Sequence, residues 1–281
     1  EQYMEIIKDL SIHIFLNSME NILLREKQGP IEILTLNDPK KLNALSEEML
    51  SKLQETFDEI STQNDVRAVI LRGQGKAFCA GHDLKQMQQA RQSKDGGQAY
   101  FYELFKKCGK MMLTISQMPQ PVIAEVRGIA TAAGCQLVAT CDLAIASSNA
   151  SFGVNGVNIG LFCSTPMVAL SRNIGRKKTF EMLVTGEFLD PDMAMSFGLI
   201  NKVVPDHKTQ RETLDLAEKI TKKLGQAVKI GKKAYYKQIE LPIDEAYEYT
   251  AEVMATNMLF KDTDEGINAF IEKRTPSWEP T

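Results

Sequence analysis

The sequence predicts an α/β fold with a mostly parallel sheet and a helical region after residue 205. Three short apolar runs, "VRAVILRG" (66–73), "PVIAEV" (121–126) and "CDLAIAS" (141–147), have the length and residue types of buried strands. Helical sequence separates them, which calls for crossover connections and therefore parallel pairing. Beyond Pro205 the texture turns to charged, helix-forming sequence such as "QRETLDLAEKITKKL" and "DEAYEYTAEVMATNMLF".

Taken in order, residues 1–18, "EQYMEIIKDLSIHIFLNS", are apolar and mildly acidic and lack arginine, unlike a mitochondrial transit peptide. Two readings stay open: an extension or cloning remnant ahead of a start at Met19, or a helix docked on the body. "NILLREK" (21–27) and "PIEILTLN" (30–37) are expected as a strand hairpin. Ser46 can cap a helix to about Ser61, whose apolar residues Met49, Leu50, Leu53, Phe57 and Ile60 fall on one face. A glycine-rich loop (73–84) follows the strand at 66–73, then a polar stretch around Gly96 and Gly97 expected to be mobile. The next helix ends before Pro119 and Pro121. The boundaries expected are 1–18, 19–205 and 206–281.

Composition narrows the function. A chain of 281 residues, 43% hydrophobic and of net charge −3, can bury one sizeable core or two small ones. No apolar run reaches the roughly 20 residues that a membrane-spanning helix needs. The near-balanced charge gives no wide basic face, so no nucleic acid and no membrane is expected as a partner, and an anionic ligand must meet a local cluster of cations. Cys79, Cys108, Cys135, Cys141 and Cys163 are odd in number and form no CxxC pair, which fits reduced thiols better than disulfides or zinc. His13, His82 and His207 are far apart, and no metal is expected.

Two glycine-rich segments, "GQGKAFCAGHDL" (73–84) and "GIATAAGCQL" (128–137), each follow a buried strand. Neither is a phosphate cradle: Phe78 stands where the dinucleotide fingerprint has its third glycine, and no GxxxxGK[ST] occurs. Two such loops can each offer one backbone N–H to a single oxygen, forming an oxyanion hole. For either loop taken alone, small residues that merely permit close helix–strand packing are the better explanation.

The blocks "NDPKKLNAL", "AVILRGQGKAFCAGHDLKQM", "PVIAEVRGIATAAGCQLVATCDLAIAS", "FGVNGVNIGL", "LVTGEFLDPDMAMSFGLINKVVP" and "EGINAFIEKR" resemble, in order over about residues 20–275, the crotonase (enoyl-CoA hydratase/isomerase) superfamily. The resemblance implies a spiral of ββα units, a C-terminal helical region that builds homotrimers or dimers of trimers, and an acyl-CoA ligand without a further cofactor. The oxyanion-hole amides it implies are those of His82 and Ala133. It places Ala44, His82, Asp83, Leu84 and Lys85 beside coenzyme A, with Phe270 and Lys273 at its nucleotide. Cytoplasm is the expected compartment, with the mitochondrial matrix as alternative.

The same resemblance exposes a departure. Hydration of an unsaturated thioester needs a base for water and an acid for Cα, which the family supplies as two glutamates. The block ending in the first glutamate here reads "AAGCQ", giving Gln136; the block with the second reads "FGVNG", giving Gly156. Ser164 takes a third position, an aspartate in some relatives. Three substitutes can be considered: the His82 imidazole, a Cys163 or Ser164 nucleophile, and Glu125 on the strand before the second loop. The expectation is thioester chemistry at an oxyanion hole without two-carboxylate hydration; the alternative is a non-catalytic acyl-CoA binder.

Overall fold

The computed structural model describes residues 21–278; the segment 1–18 lies outside the described residues. Strands β1 (Leu23–Gln28) and β2 (Ile31–Leu36) form the expected antiparallel hairpin, in register from Leu23 opposite Leu36 to Gln28 opposite Ile31. The chain then alternates between two sheets. Strands β3 (Ala68–Gly73), β5 (Val122–Val126), β7 (Leu143–Ser147) and β9 (Lys202–Val204) extend the hairpin in parallel, giving the order β1-β2-β3-β5-β7-β9. Strands β4 (Ala77–Cys79), β6 (Ile129–Thr131) and β8 (Ser151–Gly153) build a second, all-parallel sheet. A long strand, a short strand and a helix thus recur as a ββα unit. The repeat is hidden in the sequence because strands of three residues carry no readable alternation and two of them lie inside the glycine-rich segments.

Helix α1 (Glu47–Ser61) starts where Ser46 Oγ accepts the Met49 amide, and it buries the five apolar residues expected together with Thr56. Helices α2 (Leu84–Ala90) and α3 (Gln98–Gln117) are joined by the stretch expected to be mobile. It is instead a built cap: the Asp95 carboxylate accepts from Ser93 Oγ and from the Gly97 and Ala99 amides, with Gly96 and Gly97 at positive φ. Helix α4 (Ala133–Thr140) follows β6 directly, and α5 (Pro166–Asn173), α6 (Arg176–Thr185) and α7 (Pro191–Ser196) lead to β9.

Alternation in the large sheet sends Leu34, Leu36, Val69, Leu71, Val122 and Ala124 into the main core with α1, α3 and α4. The opposite face, with Ile31, Ile33, Ala68, Ile70 and Ile123, is covered by Leu214, Ala217 and Ile220 of α8 (Thr209–Thr221). The region expected to begin at residue 206 therefore opens with a helix that completes the sheet.

Helix α9 (Gly225–Gln238) is fixed by one buried cation. Lys232 Nζ donates to the Ile115 and Gln120 carbonyls at 2.8 and 2.9 Å and pairs with Asp142 at 2.7 Å, while Tyr236 donates to the other Asp142 oxygen. Asp142 also accepts the Val122 amide, so the cluster sits at the amino ends of the parallel strands, away from the glycine loops. Helices α10 (Ile243–Met258) and α11 (Lys261–Ile271) complete the described chain. Helix α10 buries no residue; Ile243, Tyr247, Met254 and Met258 are all exposed. Among the described residues no helix is long and apolar enough to cross a membrane, and no group of three or more potential ligands could hold a metal ion.

Candidate functional site

The loops that leave the carboxyl ends of the small sheet lie together. The segment after β4 carries Gly81 and His82, the segment after β6 leads into Ala132 and Ala133, and the one after β8 carries Asn155 and Gly156. Carboxyl ends of parallel strands are where such sheets keep their crevices. The sequence points to the long strands before the glycine loops; the site is in fact organised by the short strands inside them.

Close approach explains the small residues. A Cβ on Gly81 would lie 2.9 Å from Ala132 Cβ and 3.3 Å from the Ala133 nitrogen, so the first loop presses its backbone onto the start of α4. Gly134 is held as tightly against the Cys79 carbonyl, and Gly128 against that of Lys76. Ala132 takes φ 50°, ψ −120°, a conformation suited to glycine, and such strain persists only where the surroundings enforce it. It directs the first amide of α4 out of the helix at its positive end.

The His82 loop is pinned from its other side. Leu45 donates its amide to the Gly81 carbonyl at 2.7 Å and bridges His82 in parallel fashion. In a parallel bridge one residue makes the hydrogen bonds, here Leu45, so the His82 amide faces away from Leu45. Ala44 lies in this pinning segment, which buried Asn43 locks by donating to the Gln74 and Ala77 carbonyls at 2.9 and 2.8 Å. Asp83 caps α2 by accepting the Lys85 and Gln86 amides and pairs with Lys41 at 3.3 Å. Burial pushes its carboxyl up, but these backbone hydrogen bonds and Lys41 outweigh that and hold it below the usual range. Leu84 and Lys85 are exposed beside it.

The His82 side chain has a defined tautomer. Nδ1 is 3.2 Å from the Leu45 carbonyl, which can only accept, so Nδ1 carries the proton and Nε2 offers a lone pair. Nε2 is buried without a hydrogen-bond partner, and the ring meets Phe105 of α3 edge-on. Burial lowers the imidazole pKa more than the Leu45 contact raises it, which favours the neutral ring. Gln136 is 4% exposed, on the first turn of α4 and on the same face as Ala133; its Oε1 is likewise buried without a partner.

Gly156 has no room for a side chain. A Cβ there would collide with the Leu161 carbonyl and lie 2.8 Å from Cys163 Sγ, so the chain itself fills the space a side chain would need. Thr131 Oγ1 and Asn155 Oδ1, 2.7 Å apart, tie this loop to β6.

The substitutes fare unevenly. Cys163 is buried and desolvation pushes its thiol up, while Cys79, Cys108 and Cys135 are raised to about 12 by the same cause, so none is a ready thiolate. Ser164 is exposed, and its hydroxyl lies 3.4 Å from the Phe162 carbonyl. Glu125 is buried on the face away from the main core, paired with Arg127 at 3.5 Å; burial raises its carboxyl while Arg72 and Arg127 oppose the rise. Helix α11 packs on α10 and leaves Phe270 86% exposed and Lys273 exposed, so the loop cluster is assembled without them. Gly81, Ala132, Leu45 and Phe105, which complete the site, escaped sequence reasoning; the "CAG" and "NAL" triplets were the available signals for the first and third.

The sequence profile of the enoyl-CoA hydratase/isomerase family matches residues 26–281. Human enoyl-CoA hydratase domain-containing protein 3, mitochondrial, is 44% identical over 248 residues, covering 88% of this chain and 80% of its own length. A solved structure of enoyl-CoA hydratase from Mycobacterium smegmatis superposes with a TM-score of 0.89 at 51% identity, over 92% of this chain and 99% of that one. The solved structure of the human protein gives 0.87 at 43% identity, over 92% and 100%.

Proposed function

The chain belongs to the enoyl-CoA hydratase/isomerase family, and on that premise we propose that it binds acyl-CoA thioesters with the thioester carbonyl held between the His82 and Ala133 backbone amides. The observation that carries the reading is the backbone contact of Gly81 with Ala132 and Ala133 at the start of α4. Two preorganised N–H groups at a helix N-terminus suit an oxygen that gains negative charge, and each donor is worth about 3 kcal/mol of barrier in comparable sites.

Such a hole stabilises an enolate but moves no proton. Gln136 cannot exchange a proton at neutral pH, and Gly156 has no side chain and no space for one. The chemistry proposed is therefore one in which the substrate supplies its own leaving group, as when a malonyl-type thioester loses carbon dioxide. The C–C electron pair passes into the enolate, and solvent then protonates Cα. The filled space at Gly156 also favours a second reading, an acyl-CoA binder without turnover.

The rest of the assembly is proposed on the same footing. Residues 19–205 form the acyl-CoA-binding body and 206–281 add α8 to the sheet and a helical surface. Exposed α10, with Phe270 and Lys273, suits a homotrimer or dimer of trimers in which the tail reaches the coenzyme A nucleotide of a neighbour. Coenzyme A, as part of the substrate, is the sole cofactor proposed. Cytoplasm is the proposed compartment, given the bacterial structure at 51% identity; the matrix is the alternative, since the human relative is named mitochondrial.

Calorimetric titration with CoA, butyryl-CoA and crotonyl-CoA tests binding, and turnover of a thioester panel separates the two readings. Ala133→Pro deletes one amide at the helix position where proline is best tolerated. It is expected to melt as a folded protein while losing thioester affinity relative to CoA; unchanged affinity refutes the proposed hole.

A further inference from the structure

A second cleft lies away from the glycine loops, between the end of α1, the start of β3 and the start of α9. Its volume is about 60 Å³ and its polar lining is Gln63, Asn64, Arg67, Gln120, Gln226 and Lys229, with no carboxylate among the described residues. The Arg67 guanidinium is pressed onto the amino end of α9: a Cβ at Gly225, the first residue of that helix, would lie 2.5 Å from Nε. Arg67 Nη2 donates to the Lys223 carbonyl, and no carboxylate comes close enough to raise a pKa that burial alone lowers. The amino end of a helix carries positive charge of its own, and Leu224 gives the first amides of α9 no side-chain cap. A cation held against a helix amino end is repelled by it unless an anion joins the two. The other wall differs in character. Gln120, 4% exposed, donates Nε2 to the Ile60 and Gln63 carbonyls at 2.8 and 2.9 Å, which fixes its amide and leaves Oε1 buried without a partner. That oxygen can only accept, so the ligand that completes this cleft brings a proton donor as well as negative charge.

We propose that this cleft binds a protonated oxyanion of the hydrogenphosphate kind, with its negative oxygens on Arg67, Lys229 and the first amides of α9 and its hydroxyl donating to Gln120 Oε1. A guanidinium beside free helix amides matches the geometry of such an ion. The size suits the free ion, since a space of this volume holds about four waters, as many as phosphate has oxygens. Sulfate has the same shape but no proton at pH 7, and it would set a lone pair against the unpaired Gln120 oxygen. The cleft lies at the amino ends of the large-sheet strands, apart from the His82 and Ala133 loops, and its ligand is independent of the thioester reading.

Calorimetric titration of the full chain with sodium phosphate and with sodium sulfate, at pH 7 and constant ionic strength, tests this. Phosphate is expected to bind saturably and about tenfold more tightly than sulfate, the difference that one unpaired buried acceptor supports. Arg67→Met, which keeps the aliphatic stem, should weaken phosphate by about tenfold to a hundredfold, as loss of a charged hydrogen-bond donor does. Lys229→Gln, at an exposed position, should weaken it several-fold and keeps the test open if Arg67→Met does not fold; melting curves show which variants are folded. Absence of saturable phosphate binding overturns the proposal, and so does sulfate bound as tightly as phosphate. Natural affinity in both folded variants places the ion elsewhere and overturns it too. Displacement of phosphate by CoA would assign the cations to the coenzyme and overturn it as well; phosphate binding undisturbed by CoA is the expected result.

Discussion

Gly156→Glu would place a carboxylate where the resemblance to hydratases implies the second glutamate, and the fold opposes it. A Cβ at 156 would lie 2.8 Å from Cys163 Sγ and would overlap the Leu161 carbonyl, whose residue also donates its amide to the Gly156 carbonyl at 2.9 Å. Carbon contacts are comfortable near 3.5–4 Å, so the backbone at 161–163 must retreat by about 1 Å and weaken that hydrogen bond. Overpacking of this kind costs about 1–3 kcal/mol. At about 2–4 °C per kcal/mol for a chain of this size, the melting temperature should fall by roughly 2–12 °C. Gly156→Ala, which adds only the Cβ, should show most of the loss, and Gln136→Glu with Gly156→Glu should not hydrate crotonyl-CoA. Differential scanning fluorimetry and an absorbance assay of crotonyl-CoA read the two effects. A Gly156→Ala protein that melts like the natural one, or a double variant that turns over at an ordinary enzymatic rate, refutes the reasoning.

Four further outcomes are expected. Lys232→Met leaves the largely buried Asp142 without its cation and should cost about 3 kcal/mol in urea unfolding; a loss under 1 kcal/mol contradicts the anchoring role. The sole tryptophan, Trp278, packs on Gly266 in a tail held by Glu265, which accepts from Arg274 and the Ser277 amide. Arg274 first, then Ser277, lower the Glu265 carboxyl from 4.5 to about 2, so the tail is held above pH 4.5 and released as pH falls toward 2. Trp278 emission should shift over that window, and already at neutral pH in Glu265→Gln. His82 is held below its ordinary pKa of 6.5, so the unfolded chain takes up the proton first and stability falls as pH drops through 6.5; His82→Gln should flatten that slope between pH 7 and 5, measured by denaturant midpoints. The five buried thiols should resist iodoacetamide at pH 7.5 until the chain is unfolded; labelling of native Cys163 at the rate of a free thiol would reverse that assignment.

The sequence by itself determined the hairpin, α1 with its cap, the parallel long strands, the family blocks and the absence of carboxylates at 136 and 156. Each is a local property: alternation, 3.6-residue periodicity, a capping hydroxyl, or the identity of one residue at one position. Tertiary structure decided the remainder. The second sheet forms only because β4, β6 and β8 meet from distant parts of the chain, and three residues are too few to announce a strand. Glu125 turned from the main core because register with Arg72 fixes its face, which periodicity within one strand cannot orient. Asp95 made a cap of a stretch rich in turn residues. The space at Gly156 is closed by Leu161 and Cys163, five and seven residues further on. Whether an acceptor such as Gln136 Oε1 or His82 Nε2 finds a partner depends on which groups folding leaves within about 3 Å of it, and that is a relation among distant segments that no single stretch of sequence contains.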